Sequence, residues 1–310
     1  MGRYVAKRLL HALVVLLAVS VAVFLVARLS GDPSALFLGD NSTPADLVRV
    51  HHILGLDRPL YVQFWIFLSG ALRGDLGQSI WQAQPALQLV LDRLPATLQL
   101  ALTAFVLSIV VAVPAGVFAA LRRGKAGDWG VIAVTALGQS IPVFVLGVVL
   151  VLLFAVRWHL LPPSGSGTWK HLVLPAVSLA LFSSAKIARL TRTSVLDILG
   201  KEYVRTAQGK GAGQRRVVWV HVLRNAALPI VTIAGLELGA LLSGVVVTET
   251  IFGWPGIGRL AIEAIAHRDY PVIQAEALFV ASMFVFINIL IDMTYVVLNP
   301  RIRLGGEGEA

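Results

Sequence analysis

A chain of 310 residues that is 57% hydrophobic and only 14% charged, with a mean hydropathy of +0.79, carries more apolar surface than a soluble fold can cover. It contains no cysteine, which excludes disulfides, thiolate metal sites and cysteine nucleophiles. Its formal charge of +9 does not by itself imply nucleic acid, because polytopic membrane proteins collect positive charge in cytoplasmic loops.

The hydropathy pattern predicts an all-α protein with six spans, at about 9–28, 97–121, 131–156, 172–191, 226–248 and 275–298. The first apolar run, Leu9 to Ala27, is too long for the core of a signal peptide, so it is expected to be retained as a span. Segment 31–95 then lies outside. There "STPADLVRV" predicts a helix capped by Ser42 or Thr43 with Pro44 at its first position. "PLYVQFWIFLSGAL" predicts an apolar helix too short to span, lying at the membrane surface or against the outer ends of the spans. Gly138, Pro142 and Gly147 mark the third span for close packing or local unwinding. The fourth span is the least apolar, and its end runs into charge, so its helix is expected to emerge into water. A Trp254-Pro255-Gly256 turn then leads into a short amphipathic helix, Gly258 to His267.

With the N-terminus inside, segments 1–8, 122–130, 186–225 and 299–310 are cytoplasmic and hold 17 of the 26 Lys and Arg. The positive-inside rule therefore predicts that both termini are cytoplasmic.

The longest of these segments contains "EYVRTAQGKGAGQRRVVWVHVLRNAALP" at 202–229, basic and broken by Gly209, Gly211 and Gly213. It lacks the GK[ST] of a phosphate loop. Only Tyr203 and Trp219 are near enough to offer stacking platforms, so nucleic acid is not expected. Anionic membrane lipid is the plain expectation for any such juxtamembrane segment. The pattern itself favours a helix over 201–210, a turn at Gly211 and Gly213, and a second short helix over 214–224 with Val217, Val218, Val220 and Val222 apolar. A helix–glycine–helix elbow is a shape for docking in a partner's groove.

No HExxH, GxSxG or paired-carboxylate motif is present, so no catalytic residue, no metal site and no cofactor bound by this chain is expected. Glu237 falls mid-span, and Asp292 lies nearer the cytoplasmic end. An intramembrane carboxylate either lines a pathway or bonds to a neighbouring helix, and for Glu237 both readings stay open. Gln139, Ser140, Ser183, Ser243 and Asn288, together with Thr135, Ser178, Ser184 and Thr232, either line the same route or tie helices together.

The order and spacing of "RLSGDP" at 28–33, "LGLDRPLYVQFW" at 54–65, "LPATLQLAL" at 94–102, "PAGVFAALRRG" at 114–124, "FGWPGIGRL" at 252–260, "RDYPVIQAE" at 268–276 and "NPRIR" at 299–303 extend nearly end to end. Together with 203–229, they make the chain resemble the permease subunits of bacterial ATP-binding-cassette importers, in the oligopeptide/dipeptide/nickel branch. That resemblance implies a type I importer bundle, with residues 1–30 as tail and first helix, 31–95 extracytoplasmic, 96–298 the transmembrane domain and 299–310 a cytoplasmic tail. It places the family's EAA loop, EAA-x3-G-x9-I-x-L-P, within 192–225. Arg205, Thr206 and Ala207 take the EAA positions, Gly211 is the loop glycine, and His221, Val222, Leu223 and Arg224 stand at I-x-L-P. Arg205, Thr206, Ala207, Gly209, Lys210, Gly211, Ala212, Gly213, Arg215, Arg216, His221, Leu223 and Arg224 are then the expected ATPase-coupling residues.

The implied partners are a second homologous permease, two P-loop ATPase subunits that bind ATP and Mg, and an extracytoplasmic solute-binding protein. The implied location is the bacterial inner membrane. The implied cargo is small peptides or glutathione-like tripeptides, with nickel chelates or opines as alternatives in the same class. The family commonly has Gln where this chain has Glu237. Reading Glu237 as a coupling carboxylate gives a different class, an ion-coupled secondary transporter. A non-transporting scaffold is a third.

Overall fold

The computed structural model describes residues 2–29, 43, 45, 48, 49, 52 and 57–298, with side chains except at 2–7, 9, 242–244 and 291–298. The capped helix expected after Ser42 falls largely outside the described residues, as does the tail 299–310. Among the described residues the structure is helical, with one isolated bridge between Gln78 and Pro85. The helices are α1 (Gly2–Leu29), α2 (Leu60–Leu72), α3 (Ala86–Leu121), α4 (Ala126–Ser140), α5 (Val143–Leu150), α6 (Trp169–Leu199), α7 (Glu202–Gly209), α8 (Gln214–Arg216), α9 (Leu223–Gly244), α10 (Val246–Phe252), α11 (Ile257–Ala266) and α12 (Tyr270–Leu298). π-Helical stretches follow α5, over Val151–Arg157, and α8, over Val217–Val222.

Five segments among the described residues are long and apolar enough to cross a bilayer: Leu10–Leu29, Ala86–Leu121, Trp169–Leu199, Gln214–Leu241 and Tyr270–Leu290. The expected third span is not straight. α4 and the helix Val143–Arg157 meet at a 100° bend and complete a sixth span only as a broken pair. Pro142 explains the break. It has no N–H to donate, and its ring pushes the preceding residue out of helical geometry. Ile141 accordingly sits at φ −92°, ψ 121°.

The described residues divide into two compact units, one drawn from 1–95 and 256–286, the other from 96–255 and 287–298. In the first, α2 packs on α1 through Phe24, whose ring centroid lies 5.4 Å from Phe64 and 5.9 Å from Phe67. Ala86, Leu89 and Val90 of α3, Ile257, Leu260 and Ala264 of α11, and Val272 and Ala275 of α12 form its core. The buried Asp269 carboxylate accepts from Ser79 Oγ and from the amides of Ile80 and Trp81, fixing the 79–81 turn.

In the second unit, α3 lies very close to α6. A Cβ built on Gly116 would stand 2.6 Å from the Ala188 carbonyl oxygen. Phe252 of α10 joins Leu150, Ala155 and Leu174 in a small core. α6 continues past the expected membrane boundary to Leu199, as its charged end predicts. Asp128, buried at the start of α4, accepts from the Gly124 amide and pairs with Arg192 of α6 through both guanidinium edges. This clamp ties the α3–α4 turn to the C-terminal half of α6.

Candidate functional site

The basic segment folds as an elbow, but its second arm is not the short helix expected over 214–224. α8, the π-helical stretch Val217–Val222 and α9 run on from one another, so the arm is the base of a span. The first arm is α7, ending at the corner Lys210–Gly213. Gly211 has φ +81°, a conformation that costs a side-chain-bearing residue. The Gly211 amide donates to the Gln208 carbonyl at 2.9 Å and the Ala212 amide to the Ala207 carbonyl at 3.2 Å. That is a Schellman closure, which satisfies carbonyls a helix end otherwise leaves open. Gly213 does not share the left-handed geometry. At φ −60° it precedes α8 in extended backbone.

Why the elbow keeps its shape is visible beneath it. Val204, fully buried on α7, packs into a core of Ala120 from α3, Val195 from α6, Val217 and Val222 from the π stretch, and Ala226 and Ile230 from α9. The expected apolar face holds for Val217, Val218 and Val222. Val220 instead points outward beside Trp219, which is 72% exposed. A six-residue π stretch advances each residue by less rotation than an α-helix, so the face drifts.

The solvent side of the elbow carries Arg205, Thr206, Gly209, Lys210, Gly211, Gly213, Arg215, Arg216 and Arg224, all exposed, while Ala207, Ala212, His221 and Leu223 are half-buried. A Cβ at Gly209, Gly211 or Gly213 would meet nothing within 4 Å. Gly211 is therefore required here by conformation, not by crowding within this chain. The result is a cationic surface held rigidly by three spans.

The second cluster lies between two of the apolar segments, Trp169–Leu199 and Gln214–Leu241. Glu237 of α9 is 5% exposed. Its Oε1 accepts from Lys186 Nζ at 2.9 Å and its Oε2 from Ser183 Oγ at 3.0 Å, both on α6. A charge at the bilayer centre costs roughly 2.5–3.5 kcal/mol on insertion scales, and a partner of opposite sign offsets much of it. The structure thus brings together two of the polar candidates, Ser183 and Glu237. Lys186 falls where the expected fourth span, 172–191, and the expected cytoplasmic segment, 186–225, overlap. The sequence signal for it was a lysine inside the apolar window of the fourth span.

The other pathway candidates are placed as follows. Gln139 is half-buried near the end of α4, and Ser140 is exposed, its hydroxyl donating to the Ala136 carbonyl. Asn288 is half-buried on α12 with an interaction of its own. The side chain of Ser243 lies outside the described residues. Thr135, Ser178, Ser184 and Thr232 donate to carbonyls of their own helices, which satisfies a hydroxyl without lining a route. Among the described residues, no three His, Asp or Glu side chains gather where a metal ion would need them.

Residues 112–304 match the family described as binding-protein-dependent transport system inner membrane component, and residues 1–101 match the corresponding N-terminal family. The glutathione transport system permease protein GsiC of Escherichia coli (strain K12) is 41% identical over 304 residues, 98% of this chain and 99% of that protein. A probable peptide ABC transporter permease protein, y4tP of Sinorhizobium fredii (strain NBRC 101917 / NGR234), is 40% identical over 98% of this chain and 100% of its own length. Among solved structures, an inward-facing conformation of the MetNI methionine ABC transporter superposes with a TM-score of 0.59 at 19% identity, covering 68% of this chain and 97% of that one. That likeness is one of fold.

Proposed function

Because the chain belongs to the binding-protein-dependent transport system inner membrane component family, it is a permease subunit of an ABC importer, and we propose that its cargo is small peptides, glutathione-like tripeptides among them. Two similar proteins, one named for glutathione and one for peptide transport, support the cargo class.

The observation that carries the mechanism is the anchored elbow: an exposed cationic corner whose buried face is welded by Val204 to three spans. Such a corner transmits force instead of yielding to it. The proposed complex has this chain beside a second homologous permease, two P-loop ATPase subunits in the cytoplasm holding ATP and Mg, and a solute-binding protein outside. Residues 205–224 seat in the ATPase cleft. ATP-driven closure of the ATPases moves the elbow, and the spans with it, between inward- and outward-open states. Each ligand must discriminate between those two states for the coupling to work. Both termini face the cytoplasm in this arrangement, which the distribution of Lys and Arg supports.

The test is to tag the chain, extract it in mild detergent from its native host after cross-linking in intact cells, and identify what co-purifies. Recovery of a P-loop ATPase and a second permease is expected. The assembly is then reconstituted in proteoliposomes and offered glutathione, di- and tripeptides, a nickel chelate and an opine. A chain that emerges alone overturns the proposed complex, and uptake of only the last two overturns the cargo class.

A further inference from the structure

The Lys186–Glu237 pair is asymmetric in a way that a purely structural pair need not be. The carboxylate is enclosed: the Glu237 side chain is 6% exposed and both its oxygens are taken, by Lys186 and by Ser183. The ammonium is open: the Lys186 side chain is 36% exposed. An ammonium has three donors, and Glu237 uses one of them. The Phe182 ring, with its centroid 4.8 Å from Nζ, backs the charge without consuming a hydrogen bond. An open lysine ammonium inside an apolar span faces a cavity, a pathway or a neighbouring helix, and not lipid tails. The flanking residues hold it there: Ala185, Ile187 and Ala188 are all buried in the packing of α6.

We propose that Lys186 binds a substrate carboxylate inside the membrane pathway, with Glu237 as the positioning residue that holds the ammonium and neutralises it while the site is empty. This rests on the peptide reading given above. Every free peptide carries a C-terminal carboxylate, so one cation recognises the class whatever the side chains are. Because the ammonium stays shared with Glu237, the contact is weak. That suits a pathway, where a ligand must leave as readily as it enters. Ser183, donating to the far oxygen, keeps Glu237 from following the lysine toward the ligand.

The test uses the complete assembly in proteoliposomes, with its binding protein and ATP, and labelled glutathione and trialanine as probes. Lys186→Met is expected to lower uptake at sub-saturating probe about tenfold, the scale of one lost charge-assisted hydrogen bond. Lys186→Met leaves Glu237 unpaired, so the deciding variant is Lys186→Met/Glu237→Gln, which has no stranded charge. It is expected to assemble at the wild-type level and to remain as defective as Lys186→Met. Glu237→Gln alone keeps a polar group beside Ser183 and frees the lysine, so it is expected to lower KM and the maximal rate together. Recovery of wild-type uptake in the double variant, or an unchanged KM in Glu237→Gln, overturns the proposal and leaves the peptide reading standing. A wild-type assembly that moves neither probe overturns the peptide reading and this inference with it.

Discussion

Arg192 grips Asp128 with two nitrogens across 64 residues of sequence, its Nη2 lying 2.8 Å from Oδ2 while Nε meets Oδ1. The carboxylate also accepts from the Gly124 amide, so it locks the turn after α3 onto the C-terminal half of α6. A lysine at 192 cannot reproduce the two-pronged contact. Arg192→Lys is therefore expected to lower the melting midpoint of the detergent-solubilised protein by several degrees. Asp128→Ala should lower it further, because it leaves a half-buried guanidinium without its partner. A thermal scan followed by size exclusion reads both, and equal midpoints would remove the clamp's role.

Gly116 and Gly130 make a matched pair. At Gly116 a Cβ would stand 2.6 Å from the Ala188 carbonyl oxygen and 2.7 Å from Thr191 Cβ, neither of which swings aside freely. At Gly130 a Cβ would meet nothing within 4 Å. Gly116→Ala is expected to cost about 1–3 kcal/mol through overpacking of α3 on α6. Gly130→Ala, in the body of α4, is expected to be neutral or stabilising by up to about 1 kcal/mol. Chemical unfolding of the two variants in the same detergent gives the comparison, and a reversed order would refute it.

Val204 is the nail of the elbow. Truncation to alanine removes two methyl groups from a fully buried site and is expected to cost about 1–2 kcal/mol. The loss falls on α7 before it falls on the spans, since α7 is only eight residues long and depends on that contact. Val204→Ala should therefore accelerate tryptic cleavage at the exposed Arg205 and Lys210 while leaving cleavage elsewhere unchanged. A digest resolved by mass spectrometry reports it directly.

Gly211 separates conformation from contact. Its φ of +81° penalises any side chain, by about 1–2 kcal/mol for an ordinary L-residue, although space around it is open. Gly211→Asn should be tolerated better than Gly211→Ala, and Gly211→Val worst of all. The valine variant is expected to insert normally yet lose uptake per ATP hydrolysed in the reconstituted assembly. Gly213→Ala, at φ −60°, is the control that should retain coupling. Coupled transport at the wild-type ratio in Gly211→Val would show that the corner geometry is dispensable.

The sequence by itself determined the class, the number of spans and the corner of the elbow, but not the course of its second arm. Apolar runs of bilayer length have few other fates, charge distribution distinguishes the loops, and glycine spacing marks a corner because so few residues adopt positive φ. The order of motifs from "RLSGDP" to "NPRIR" carried the family as well. Hydropathy also gave the third span, and Gly138, Pro142 and Gly147 marked it for close packing or local unwinding, but a window average over 131–156 does not say where the chain bends or how sharply. Only the tertiary structure showed the 100° bend at Pro142 and the π stretch that turns Val220 outward. It alone joined Lys186 to Glu237 and Arg192 to Asp128. Those partners lie 51 and 64 residues apart, on helices whose rotation and depth are set by close packing at positions such as Gly116. Local periodicity says which residue types a helix carries. Which charge meets which is settled by how helices press together, where a shift of one residue turns a side chain by 100° and parts the pair.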